Sequence, residues 1–126
     1  MQGDIDTFEK VQLMVDSFYE KVRSDDLLGP VFENVVRGNW QPHLEKMYCF
    51  WQTILLFEHT YSGSPFPPHA KLPIDKSHFK RWLVLFRATV SENFEGEKAT
   101  EAMWRAEKMG EMFSYKLDYL RSASSK

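Results

Sequence analysis

The sequence predicts an all-α fold: one domain of four principal helices around a single core. Apolar residues recur at helical spacing in four long segments, and no segment alternates convincingly as a strand would. A length of 126 residues suits one domain with one well-buried core. Residues 1–126 are therefore read as a single unit, with 1–6 and 121–126 as polar, frayed tails.

The first helix is predicted over roughly residues 7 to 23, with Asp6 as its cap and Glu9 three residues on. Phe8, Val11, Met14 or Val15, Phe18 and Val22 mark its inner face. Ser24-Asp25-Asp26 breaks it, and a short piece containing Leu28-Gly29-Pro30-Val31-Phe32 follows to Val36. The second long helix is predicted from Pro42, because proline suits the first helical position, to about His59. Leu44, Met47, Trp51, Ile54 and Leu55 form its apolar side. The third runs from about Asp75 to Asn93, with Phe79, Trp82, Leu83, Phe86 and Val90 as its stripe. The fourth covers roughly Glu97 to Leu120, using Ala99, Ala102, Met103, Ala106, Met109, Phe113 and Leu117. Several of these are small and permit close approach of a neighbouring helix.

Composition narrows the function. The formal net charge is −2 with scattered basic residues, which leaves no electrostatic footprint for nucleic acid. No apolar run approaches the length that spans a bilayer, and the polar, acidic start MQGDIDTFEK argues against a secretory signal. A single cysteine, Cys49, excludes an internal disulfide. The expectation is a soluble cytoplasmic protein. Ten Phe, five Tyr and four Trp are more rings than a core of this size needs, so the surplus suggests a site for a large flat apolar ligand.

The stretch Tyr61–Leu72, YSGSPFPPHAKL, is the most informative in the chain. Loops of about a dozen residues inside compact domains are usually functional. Here Pro67 and Pro68 stand directly before His69 and would hold it at the start of a short helix. One histidine so fixed is what a haem iron needs: a neutral imidazole whose other nitrogen is hydrogen-bonded. On spacing alone, a loop histidine bonded to backbone is the simpler reading. His59 and His78 are competitors, the first explained by a helix C-terminus and the second able to meet a haem propionate or solvent.

Potential donors to a bound ligand lie elsewhere. Tyr19, next to Phe18 on an apolar stripe, needs a partner for a buried phenol. The Trp82 indole N–H and His43 are further donors, with core packing and a solvent-facing helix start as their plainer alternatives. His43 and Met47 are four apart and share a helix face. Phe32 is placed to press on a planar ligand, while Met47 and Phe86 are candidate apolar lining.

These residues resemble a known family, the truncated haemoglobins of the third group, over nearly the whole chain. The matching stretches include Phe18-Tyr19-Glu20-Lys21-Val22, Leu28-Gly29-Pro30-Val31-Phe32, His43-Leu44-Glu45-Lys46-Met47, Phe50-Trp51 and Tyr61-Ser62-Gly63. Pro68-His69, Leu72-Pro73 and the run from Phe79 to Phe86 continue the match, and their order and spacing together are specific. The resemblance implies a two-over-two helical sandwich around haem b, with His69 as the proximal iron ligand. It puts Tyr19, His43 and Trp82 at the distal polar positions and Phe32 against the ring. The glycine-pair motifs of the other two truncated groups are absent, as the third group leads one to expect. Pro42 places His43 at the start of its helix, which suggests a side chain that swings as a gate.

Three classes of function follow. The first is binding of dioxygen or other small ligands, such as NO, CO or anions, at a pentacoordinate iron. The second is haem redox catalysis, nitric oxide dioxygenation or peroxidase-like chemistry, which needs an external reductase because the chain has no flavin or nicotinamide motif. The third is a haem-free helical interaction module, which predicts colourless protein.

Overall fold

The computed structural model describes residues 3–57 and 74–124. Among them are five helices and no strand: α1 (Phe8–Ser24), α2 (Leu28–Val36), α3 (Trp40–Leu56), α4 (Lys76–Asn93) and α5 (Glu97–Ser124). The short piece expected before Val36 is a helix in its own right.

Thr7 caps α1, its hydroxyl accepting the Lys10 N–H at 3.3 Å. The expected cap, Asp6, instead pairs with the Lys10 ammonium at 3.1 Å. A threonine with extended backbone at the boundary serves as well as the aspartate one residue earlier. Val11, Met14, Val15, Phe18, Tyr19 and Val22 form the buried face, so both Met14 and Val15 belong to it. Asp25 ends α1 and starts α2: its carboxylate accepts the Leu27 and Leu28 N–H groups at 3.1 and 2.9 Å. Arg37 and Gly38 then turn the chain with φ of 53° and 80°.

α3 begins at Trp40, two residues before the proline expected to open it. Pro42 still falls in the first turn, where its missing N–H removes no intrahelical bond. The helix stops at Leu56, short of His59, because Phe57 adopts the left-handed region at φ 59°. Lys98 reaches back from α5 and donates to the orphan Leu55 carbonyl at 2.5 Å, with its ammonium 5.3 Å from the Phe57 ring centre. Asp75 caps α4 in a capping box whose third helical residue is His78.

Residues near both ends join the fold. Asp4 accepts the Lys98 and Ala99 N–H groups at 3.0 and 2.8 Å and so caps α5, while Ile5 is fully buried. Gly96 allows this contact: its φ is +140°, and a Cβ there would lie 2.5 Å from the Asp4 side chain. At the other end α5 continues past Leu120 to Ser124. Within the spans expected as tails, residues 4 and 5 thus make defined contacts and α5 runs through residue 124.

The helices pack as two crossed pairs, α1 with α3 and α4 with α5, with α1 also lying against α4. This is a two-over-two arrangement. At its centre Phe86, only 1% exposed, is stacked between Trp51 and Trp82. Its centroid distances are 5.1 and 5.5 Å and its interplanar angles 20° and 8°. Phe86 and Trp51 are buried, and Trp82 is partly buried against them, which removes apolar ring surface from water. Among the described residues, no helix is long and apolar enough to cross a membrane.

Candidate functional site

One pocket lies between the two helix pairs and opens to solvent at its mouth. On one side α1, α2 and α3 contribute Phe18, Tyr19, Leu28, Val31, Phe32, His43, Met47, Phe50 and Trp51. On the other, α4 and α5 contribute His78, Phe79, Trp82, Met109, Gly110 and Phe113, with Ile74 just before α4. The walls are almost wholly apolar and aromatic.

Helical periodicity on α1 turns both Phe18 and Tyr19 inward at the level of the pocket. Tyr19 is 7% exposed and ringed by aromatic edges. Phe18, His43 and Phe32 lie 5.0, 5.0 and 5.7 Å away centroid to centroid, with Trp40 at 6.1 Å. Burial pushes the Tyr19 phenol above its ordinary range, so it remains a neutral O–H donor. His43 faces it edge to face at 85° and also touches Phe32 and Trp40. Trp40 is itself held by a bond from its indole N–H to Glu33 at 2.9 Å, with the Arg23 guanidinium 4.7 Å from its ring. The wall behind Tyr19 and His43 is thus locked on both sides.

Trp82 meets Phe18 edge to face at 5.5 Å, so Phe18 touches both Tyr19 and Trp82. Next to it, Arg81 donates from Nε to the buried Asp25 carboxylate at 2.6 Å, tying α4 to the junction of α1 and α2. Burial alone would raise the Asp25 carboxyl. The Leu28 N–H, Arg81 and the Leu27 N–H outweigh it and hold the group below the ordinary aspartate range. His78 lies at the pocket with its Nδ1 3.1 Å from both the Asp75 N–H nitrogen and carboxylate. The Ser77 hydroxyl and N–H donate to the Asp75 carboxylate and, with the His78 ring beside it, bring that carboxyl down to about 2.

The structure thus brings Tyr19, Phe32, His43, Met47, His78 and Trp82 to one pocket. His43 points inward even though it sits in the first turn of α3. Phe86 does not line the pocket: helical rotation carries it one layer deeper, behind Trp82 and Trp51, where it supports the wall. His69 and His59 lie outside the described residues.

Sequence reasoning missed the contribution of α5. Met109 and Phe113 were read only as helix stripe and Gly110 not at all, because period shows which residues face inward but not whether a protein neighbour or a cavity meets them. Phe79 and Phe113 meet edge to face at 6.4 Å across the α4–α5 pair.

The donor set can be set against a haem. Among the described residues, no group of three or more His, Cys, Asp or Glu is placed to hold a metal ion. Apolar aromatic walls with the polar groups Tyr19, His43, Trp82 and His78 suit a flat ligand such as haem.

Comparison with known proteins agrees. The bacterial-like globin family matches residues 4–113. The group 3 truncated hemoglobin ctb of Campylobacter jejuni is 33% identical over 109 residues, spanning 83% of this chain and 86% of that protein. The crystal structure of a group III truncated hemoglobin from Campylobacter jejuni superposes with a TM-score of 0.86 at 31% identity, covering 93% of this chain and 95% of that one.

Proposed function

Because this chain belongs to the bacterial-like globins, and among them to the group III truncated haemoglobins, we propose that it binds dioxygen or another diatomic ligand at a haem b held in the pocket described above. Membership of the family implies haem and small-ligand binding. The choice of haem b, the ligand and the residue roles are the proposal.

The observation that carries it is the meeting of Tyr19 with His43 in an otherwise apolar pocket, one ring away from Trp82. When bound, haem supplies an iron with an open coordination position for a small ligand. The protein's part is to hold the macrocycle, exclude water and present donors. His69, outside the described residues, is the imidazole assigned to the iron. Phe32 and Met47 supply flat apolar contact, and His78 is assigned to a propionate.

Tyr19 and Trp82 each offer an N–H or O–H and no charge. A ligand that draws electron density toward itself is stabilised by such donors, and more so where water is excluded. The neutral phenol suits this role, since burial keeps its proton in place. Donors of this kind favour tight binding and slow release, which fits sensing, storage or capture better than bulk transport. His43, inward-facing and packed on Tyr19, is assigned the role of gate to the pocket.

The decisive experiment is the absorption spectrum of the purified protein, ferric, then reduced, then exposed to carbon monoxide. A Soret band that moves on reduction and sharpens with carbon monoxide is the expected result. Protein that stays colourless after addition of haemin sinks the proposal.

A further inference from the structure

Gly110 stands in the interior of a 28-residue helix, where glycine costs stability relative to alanine because it loses more backbone freedom on folding. Three other described glycines have a local reason. Gly38 and Gly96 adopt positive φ, and a Cβ at Gly29 would meet the Arg23 carbonyl oxygen at 2.9 Å. Gly110 has neither reason: its backbone is ordinary helix, and among the described residues a Cβ built on it would meet nothing within 4 Å. Among the described residues, nothing would strain an alanine here. Yet Gly110 lines the pocket, flanked by Met109 and, one turn on, Phe113.

We propose that Gly110 is a cofactor-binding position, its missing side chain clearing the space in which the haem lies against the backbone of α5. The inference rests on the haem reading above. It adds to that reading a contact made by backbone and by absence, on a helix that supplies no polar group to the pocket. Side chains at this position would compete with the macrocycle in proportion to their volume, while leaving the apolar walls intact.

The test uses the haem-loaded protein and the variants Gly110→Ala, Gly110→Val and Gly110→Leu, with Glu111→Leu as a control on the exposed neighbouring position. Haem loss to an excess of a high-affinity acceptor apoprotein is followed by the Soret change, and helix content by circular dichroism. The expected result is a rate of loss that climbs with side-chain volume, by a few-fold for alanine and tenfold or more for leucine. Glu111→Leu should keep the parent rate. Alanine is a better helix former than glycine, so Gly110→Ala decides the matter even if the larger variants lose structure. Parent-like haem retention in Gly110→Ala and Gly110→Val, with helix content preserved, overturns the assignment of Gly110 alone. A parent protein with no haem spectrum overturns the cofactor reading and the assignment with it.

Discussion

Tyr19 and His43 meet edge to face, their ring centroids 5.0 Å apart and their planes at 85°. One comes from α1 and the other from α3, so the contact joins the two helices of a pair at the pocket wall. Residues in contact do not act independently. Ligand release in Tyr19→Phe, His43→Ala and the double variant should therefore be non-additive, by about 0.5 kcal/mol or more in a double-mutant cycle.

Tyr19→Phe removes one hydroxyl and leaves the ring packed among its neighbours. If that hydroxyl donates to the bound ligand, its loss costs about 1–3 kcal/mol. Oxygen release should then accelerate by roughly one to two decades, read by stopped-flow displacement with carbon monoxide. An unchanged rate would take Tyr19 out of the ligand's environment.

His43 tests the gate. Its ring faces the pocket from the first turn of α3. His43→Ala should raise the association rate for carbon monoxide, measured by flash photolysis, with less effect on the equilibrium than Tyr19→Phe. Equal association rates in variant and parent would show that the ring does not obstruct the path.

For His69 the expected outcome concerns the other side of the iron. His69→Gly should keep its helix content and give a five-coordinate ferrous spectrum only when imidazole is added. A normal ferrous spectrum without imidazole would assign the iron to another histidine.

Acid stability should depend on two carboxylates at helix starts. For Asp4, as for Asp25, burial pushes the pKa up but is outweighed, here by the Lys98, Ala99 and Ile5 N–H groups and the Lys98 charge. Both groups therefore have folded pKa values below the unfolded ones. Their contribution is present above the unfolded aspartate pKa of about 3.9 and is lost as pH falls through the folded value. Asp25→Asn keeps an acceptor for the Leu27 and Leu28 N–H groups but not the charge facing Arg81. Its unfolding midpoint should be lower than the parent's at neutral pH and should fall less between about pH 5 and 2. Parallel curves for variant and parent would exclude Asp25 as the source.

Much of this was legible in the sequence, for identifiable reasons. Period 3.6 located α1, α4 and α5, because each buries a wide apolar face. Their ends were less legible. Thr7 displaced Asp6 as a cap, and α3 started before Pro42, since proline is tolerated anywhere in the first turn. Tyr19, His43 and Trp82 stood out because donors on apolar faces need partners. Phe86 was misplaced by one layer, as a stripe residue looks alike whether it borders a cavity or fills the core. Asp25 was read as a helix break, and nothing local showed that its partner would be Arg81, 56 residues away.

The tie between Asp4 and the start of α5 spans 94 and 95 residues of chain. During synthesis, the Asp4 carboxylate lacks its Lys98 and Ala99 partners until that distant segment has left the ribosome. Contacts of such sequence separation form late, after the loop-closure entropy has been met. Asp4 is thus a latch that closes only once the start of α5 is in place. An amino-terminal fusion joined directly at residue 4 would hold that latch open, whereas one joined through a flexible spacer would leave it free to shut.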